Sequence, residues 1–63
     1  MLQNKIAEVW TQDNCVYCGM AKAVLKSRGY TVIERKLGCN ATKEELYAKI
    51  PNARSLPQVF IND

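Results

Sequence analysis

Histidine is absent from the 63 residues. That absence removes every Cys–His nucleophile pair and every zinc site with imidazole ligands. Three cysteines, Cys15, Cys18 and Cys39, leave an all-cysteine zinc site one ligand short within the chain. No apolar run approaches the ~18 residues of a membrane span, and Met1-Leu2-Gln3-Asn4-Lys5 lacks the hydrophobic stretch of a secretory signal. The expected setting is therefore the cytoplasm, a reducing compartment, where an odd cysteine count argues against a disulfide scaffold. No block of like charge appears. Nine Lys and Arg stand against six Asp and Glu, a net +3 from scattered positions, so neither a nucleic-acid face nor a membrane partner is expected. Repeats, low-complexity stretches and linkers are missing as well. What is left is one small domain, residues 1–63, whose core has little to spare at this size.

What is present alternates between two kinds of element. Ile6 to Thr11 is β-branched and aromatic and predicts a strand, ended by Gln12-Asp13-Asn14. A helix is predicted from Val16 or Tyr17 to Arg28, with Ala21, Val24, Leu25 and the stem of Arg28 as its inner stripe and Lys22 and Lys26 off it. Gly29 marks its end. Tyr30 to Leu37 holds the strongest β signal, Tyr-Thr-Val-Ile. After the turn at Gly38–Ala41, Thr42-Lys43-Glu44-Glu45 predicts a capping box. The helix it opens runs to about Lys49, with Leu46, Tyr47 and Ile50 inward, and Pro51 stops it. Gln58 to Ile61 is a third strand, and Asn62-Asp63 reads as a turn. The order is β-α-β-α-β, with the first two strands parallel. Trp10, Tyr30 and Phe60 are core candidates.

Cys15-Val16-Tyr17-Cys18 falls where the first strand hands over to the first helix. In sheets of this kind, ligands gather beyond the carboxyl ends of the strands. The thiolate is the reactive form of cysteine. The first turn of a helix offers unpaired N–H groups and the positive end of the macrodipole, which favour that anion without a histidine. Cys15 is the candidate attacking thiol. Cys18, one turn in and more buried, is the candidate resolving thiol. Half of a metal site and a pair of ordinary buried cysteines are the competing readings. Cys39, in the turn before the second helix, is read as a loop thiol, with glutathionylation or an intermolecular disulfide as the alternative.

Trp10-Thr11-Gln12-Asp13-Asn14-Cys15-Val16-Tyr17-Cys18 resembles the active-site segment of glutaredoxins. Ser55-Leu56-Pro57-Gln58-Val59-Phe60-Ile61 is similar to their Thr-Val-Pro-Gln-Val-Phe-Ile segment. Gly29-Tyr30 and Asn40-Ala41-Thr42-Lys43-Glu44-Glu45-Leu46 follow in the expected order, so the likeness runs from about Ile6 to Asn62. It implies an α/β, thioredoxin-like βαβαβ fold in three layers. It also implies a glutathione-linked thiol–disulfide oxidoreductase acting on protein disulfides or glutathione mixed disulfides, with ribonucleotide reductase as a family-level substrate. By position, Cys15 would be the nucleophile and Cys18 the resolving thiol. Tyr17 would flank the glutathione groove, Leu56 would pair its backbone with glutathione like an added strand, and Pro57 would be a cis-proline facing the cysteines.

Four departures qualify the likeness. Val16 replaces the usual Pro. Gln12 replaces the usual Lys that binds a glutathione carboxylate, for which Arg54 is the candidate substitute. Asp13 brings a negative charge that would oppose the Cys15 thiolate. The fourth strand, Gly-Gly segment and last helix of the family do not follow the third strand. That leaves Gln58–Ile61 as an expected free edge, through which a homodimer would form. Two further readings accompany the enzyme: a two-iron, two-sulfide cluster held between two subunits, and an inactive short domain that self-associates through this edge.

Overall fold

The structure is a computed structural model and describes residues 5–62. The readings of Met1–Asn4 and of a turn at Asp63 lie outside the described residues. Five elements follow one another: β1 (Ile6–Thr11), α1 (Val16–Ser27), β2 (Thr31–Lys36), α2 (Lys43–Lys49) and β3 (Gln58–Asn62). The strands form one sheet in the order β2-β1-β3. β1 pairs parallel with β2, Ala7 opposite Val32 and Thr11 opposite Lys36. On its other side β1 pairs antiparallel with β3, Trp10 opposite Gln58 and Ala7 opposite Ile61. This is the expected thioredoxin-like βαβαβ arrangement, with β3 at an edge.

Alternation along β1 divides its side chains between two faces. Ala7, Val9 and Thr11 are buried on the face that carries α1. Trp10 is buried on the other, against Ala41 and Leu46 of the α2 region, with Leu37, Ala53, Leu56 and Phe60 packed around them. The helices thus take opposite faces, and the main apolar core lies under α2. The core role expected of Trp10 holds, while Phe60 and Tyr30 are half-buried. α2 is short and begins at the predicted box. The Thr42 hydroxyl accepts the Glu45 N–H at 3.1 Å, and the Glu45 carboxylate accepts the Thr42 N–H at 2.9 Å.

Several expectations about the helices need correction. α1 ends at Ser27, and Arg28 is its exposed C-cap. Val24 is 49% exposed. The inward stripe is instead Cys18, Ala21, Lys22 and Leu25, so Lys22 lies on it rather than off it. Cys18 enters the fold from the turn after β1 and sets this phase; Val24 and Arg28 then fall on a flank. In α2, Leu46 is buried and Ile50 half-buried, but Tyr47 is 46% exposed. Seven residues give two turns, and the single position aimed at Trp10 is taken by Leu46. β2 stops one residue short of Tyr30 and Leu37 at its two ends, and β3 runs one residue further, to Asn62.

Candidate active site

The chain leaves β1 at Thr11 and reverses through Gln12, Asp13 and Asn14. Asn14 takes a φ of 57°, the left-handed region that Asn tolerates better than other side chains with a Cβ. This turn delivers Cys15 to the N-cap of α1, with extended backbone. Its sulfur accepts the Cys18 N–H at 3.1 Å. An N-cap normally presents oxygen to that orphan donor; here a sulfur does, at the positive end of a 12-residue helix with no acidic residue in its first turn. Both effects favour a thiolate at Cys15 over one deeper in the helix.

Cys15 and Cys18 are joined by a disulfide, their Cα atoms 5.2 Å apart, inside the range a relaxed bridge spans. Cys15 is half-buried and Cys18 is 2% exposed. A partly exposed cysteine beside a buried one is the arrangement suited to one thiol meeting a substrate and the other resolving it. Cys39 is a free, exposed cysteine in the β2–α2 turn, and takes no part in this pair.

A charged network braces the turn from below. The Thr11 hydroxyl donates to Glu34 at 2.6 Å, and Lys22 donates to the other oxygen of the same carboxylate at 3.0 Å. β1, β2 and α1 are therefore tied together through Glu34. Hydrogen bonds from Thr11 and Lys22 hold the Glu34 carboxyl below the ordinary carboxylate range, against an opposing contribution from burial. A carboxylate depressed by folding contributes stability above its unfolded pKa and loses that contribution as pH falls through the folded one. Glu34→Gln is accordingly expected to remove up to about 1 kcal/mol of stability at pH 7, the side chain being partly solvated. The difference from wild type should shrink as pH drops below about 4.3. Urea denaturation across that window measures it, and a penalty independent of pH would contradict the assignment.

Asp13 behaves otherwise than expected. Its carboxylate pairs with Lys36 Nζ at 2.7 Å, and this bond and charge raise the Lys36 pKa. The register that sets Thr11 opposite Lys36 brings the ammonium there. The negative charge thought to oppose the Cys15 thiolate is thus matched by a cation beside it.

Beyond the turn lies an open cleft of about 190 Å³, lined in part by Gln12, Lys43, Tyr47, Arg54 and Leu56. Gln12, Arg54 and Leu56 come together at this cleft. Pro57 is half-buried and follows Leu56 through a cis peptide bond. Tyr17 is 71% exposed on α1 and is not among the residues lining this cleft. Neither Lys43 nor Tyr47 is among the site residues the sequence suggests; Tyr47, expected inward, lines the cleft instead. Both belong to the helix opened by the capping box, and the spacing of i and i+4 puts them on one side of it.

A central β1 paired parallel with β2 and antiparallel with β3, helices on both faces, and a Cys-x-x-Cys pair closed at the first helix N-terminus together define a thioredoxin-like dithiol domain. Residues 7–63 match the family model described as Glutaredoxin. The chain is 38% identical over 55 residues to glutaredoxin 3 of Escherichia coli K12, covering 87% of this chain and 66% of that protein. It is 39% identical over 57 residues to a probable glutaredoxin of Synechocystis, covering 89% and 65%. The crystal structure of glutaredoxin 1 from Francisella tularensis complexed with cacodylate superposes with a TM-score of 0.71 at 20% identity, covering 90% of this chain and 74% of that one, a likeness of fold. The chain belongs to the glutaredoxin family. It spans just under two thirds of the length of the curated relatives it matches.

Proposed function

We propose that the chain is a thiol–disulfide oxidoreductase that draws its electrons from glutathione. The observation that carries this reading is the Cys15–Cys18 pair, bridged at the start of α1 with Cys15 half-buried and Cys18 buried. In the reduced enzyme, Cys15 thiolate attacks the glutathione sulfur of a protein mixed disulfide. The protein leaves as a thiolate and takes up a proton, and glutathione stays bonded to Cys15. A second glutathione thiolate then attacks the bound glutathione sulfur, giving oxidised glutathione and restoring Cys15. On a protein disulfide, Cys18 resolves instead. It attacks the Cys15 sulfur, the reduced protein leaves, and the Cys15–Cys18 bridge is returned to two thiols by two molecules of glutathione. Each cycle moves two electrons.

The cleft beside the turn suits the co-substrate. Glutathione carries two carboxylates and one ammonium, and Lys43 and Arg54 offer two cations on the walls, with Gln12 as a neutral polar neighbour. Leu56 lies at the same wall, before the cis bond, and its backbone is proposed to pair with glutathione as an added strand, as the family likeness implies. Proteins bearing disulfides or glutathione are the proposed substrates, in a reducing compartment such as the cytoplasm. Among the described residues no helix is long and apolar enough to cross a membrane.

Mass spectrometry after incubation with oxidised glutathione tests the reading. Cys18→Ser is expected to trap one glutathione on Cys15, removable by dithiothreitol, while the wild-type protein passes to the internal bridge. Arg54→Ala is expected to raise the KM for glutathione about 2- to 5-fold, the scale of one exposed ion pair. A Cys18→Ser protein that takes up no glutathione on Cys15 would count against glutathione as the reductant.

A further inference from the structure

α2 is too short to stand alone. Isolated helices of fewer than ~12–15 residues are marginal in water, and α2 has seven, of which only Leu46 is buried. What seats it lies on the sheet beneath. β1 turns Glu8 and Trp10 to the α2 face, with Phe60 of β3 opposite Glu8. One carboxylate oxygen of Glu8 accepts twice, from the Trp10 indole N–H and from Lys49 Nζ, each at 3.1 Å. The same ammonium lies 4.9 Å from the centroid of the Phe60 ring. Lys49 is the last residue of α2, so this contact ties the end of the helix to the middle of β1.

The start of α2 is held by its capping box. A looser pair helps, Glu45 with Arg35 of β2 at 4.0 Å. At 3.6 residues per turn, Glu45 and Lys49 stand roughly 200° around the helix from Lys43 and Tyr47, with Leu46 between. One flank is therefore clamped to the sheet. The other, with Leu46, lines the cleft of about 190 Å³ beside the redox turn. A helix of two turns moves as one rod, so the point where Lys49 is held decides where Lys43 and Tyr47 stand.

We propose that Glu8 is a positioning residue for the cleft: through Lys49 it pins the end of α2 and so fixes the wall that Lys43 and Tyr47 present to glutathione. The consequence for glutathione rests on the proposed function; the clamp itself does not. Glu8 is not among the residues lining the cleft. Its side chain is 25% exposed and that of Lys49 49%, so the pair has the modest strength of a partly solvated ion pair. That strength suits the seating of one short helix, which opens locally, rather than support of the whole fold.

Amide hydrogen exchange, followed by NMR on the full chain, tests the clamp. Glu8→Gln keeps an acceptor for the indole N–H and removes the charge that holds Lys49. It is expected to speed exchange about 2- to 5-fold at Leu46 and Ile50, whose N–H groups donate to the Thr42 and Leu46 carbonyls. Lys49→Gln, at the more exposed position, should do the same, and the double variant should add little to either single one. In steady-state assays on a glutathionylated peptide, each variant should raise the KM for glutathione about 2- to 5-fold, with kcat and closure of the Cys15–Cys18 bridge unchanged. Loss of a negative charge would by itself favour an anionic co-substrate. A higher KM in Glu8→Gln therefore reports position and not field. Faster exchange in β1 with α2 unchanged overturns the proposal, because Glu8 would then brace the sheet alone. Additive effects of the two substitutions overturn it too, as does faster α2 exchange with a wild-type KM. A wild-type protein that turns over no glutathione would sink the proposed function instead, and exchange would still decide the clamp.

Discussion

Replacing Cys15 with serine is expected to abolish thiol transfer, reducing the rate at least about 1,000-fold. A serine hydroxyl at the N-cap would keep the helix capped, since it accepts the Cys18 N–H as well as sulfur does. The fold should therefore survive, and the loss would be chemical. The hydroxyl stays protonated near pH 7 and does not donate an electron pair to a disulfide sulfur to make a stable mixed intermediate. Cys18→Ser should behave differently. Mixed disulfides with glutathione need only one protein thiol, because glutathione itself resolves the intermediate. That variant should retain activity on a glutathionylated peptide and lose it on an internal protein disulfide. Coupled assays on the two substrate types distinguish the roles. Equal and total loss in both variants would contradict the assignment of Cys15 as attacker and Cys18 as resolver.

The parts of this site that were legible from residues are the local ones. The Thr42–Glu45 box, the placement of Cys15 at a strand–helix junction and the end of α1 before Gly29 all depend on neighbours within a few positions. The phase of α1 is ambiguous in the sequence because a 12-residue helix rich in Ala, Val and Leu supports more than one apolar stripe. The turn after β1, which aims Cys18 inward, chooses among them. Lys22 with Glu34 and Asp13 with Lys36 depend on how β2 lies against β1, and that register is not written in either segment alone. The cis bond at Leu56-Pro57 followed from the family likeness rather than from propensity, which favours trans. The cleft wall from Lys43 and Tyr47 needed the packing of α2 over Trp10.

That packing gives the largest expected effect on stability. Trp10→Ala is expected to leave the protein mostly unfolded at 25 °C. The indole is 1% exposed and is the centre of the cluster with Ala41, Leu46, Leu37, Ala53, Leu56 and Phe60. Truncating a buried Trp to Ala costs about 3–5 kcal/mol, and a core of this size supplies about 3–5 kcal/mol in total. The two figures are comparable, so little or nothing remains. Further losses add to it. The indole N–H donates to Glu8 at 3.1 Å, and the Arg35 guanidinium lies 5.2 Å from the ring centroid. Burial pushes Glu8 up, but hydrogen bonds from Lys49 and Trp10 outweigh it and leave the carboxyl below its ordinary value. Trp10→Phe keeps most of the ring and should cost about 1–2 kcal/mol, visible as a lower urea midpoint in a still cooperative transition. The milder variant is also informative about function. Ala53 and Leu56 both pack on the Trp10 cluster and line the cleft. Loosening the core should therefore raise the KM for glutathione more than it slows closure of the Cys15–Cys18 bridge, which sits at the α1 end of the turn. A Trp10→Phe protein with wild-type midpoint and wild-type KM would show that α2 does not hold that wall in place.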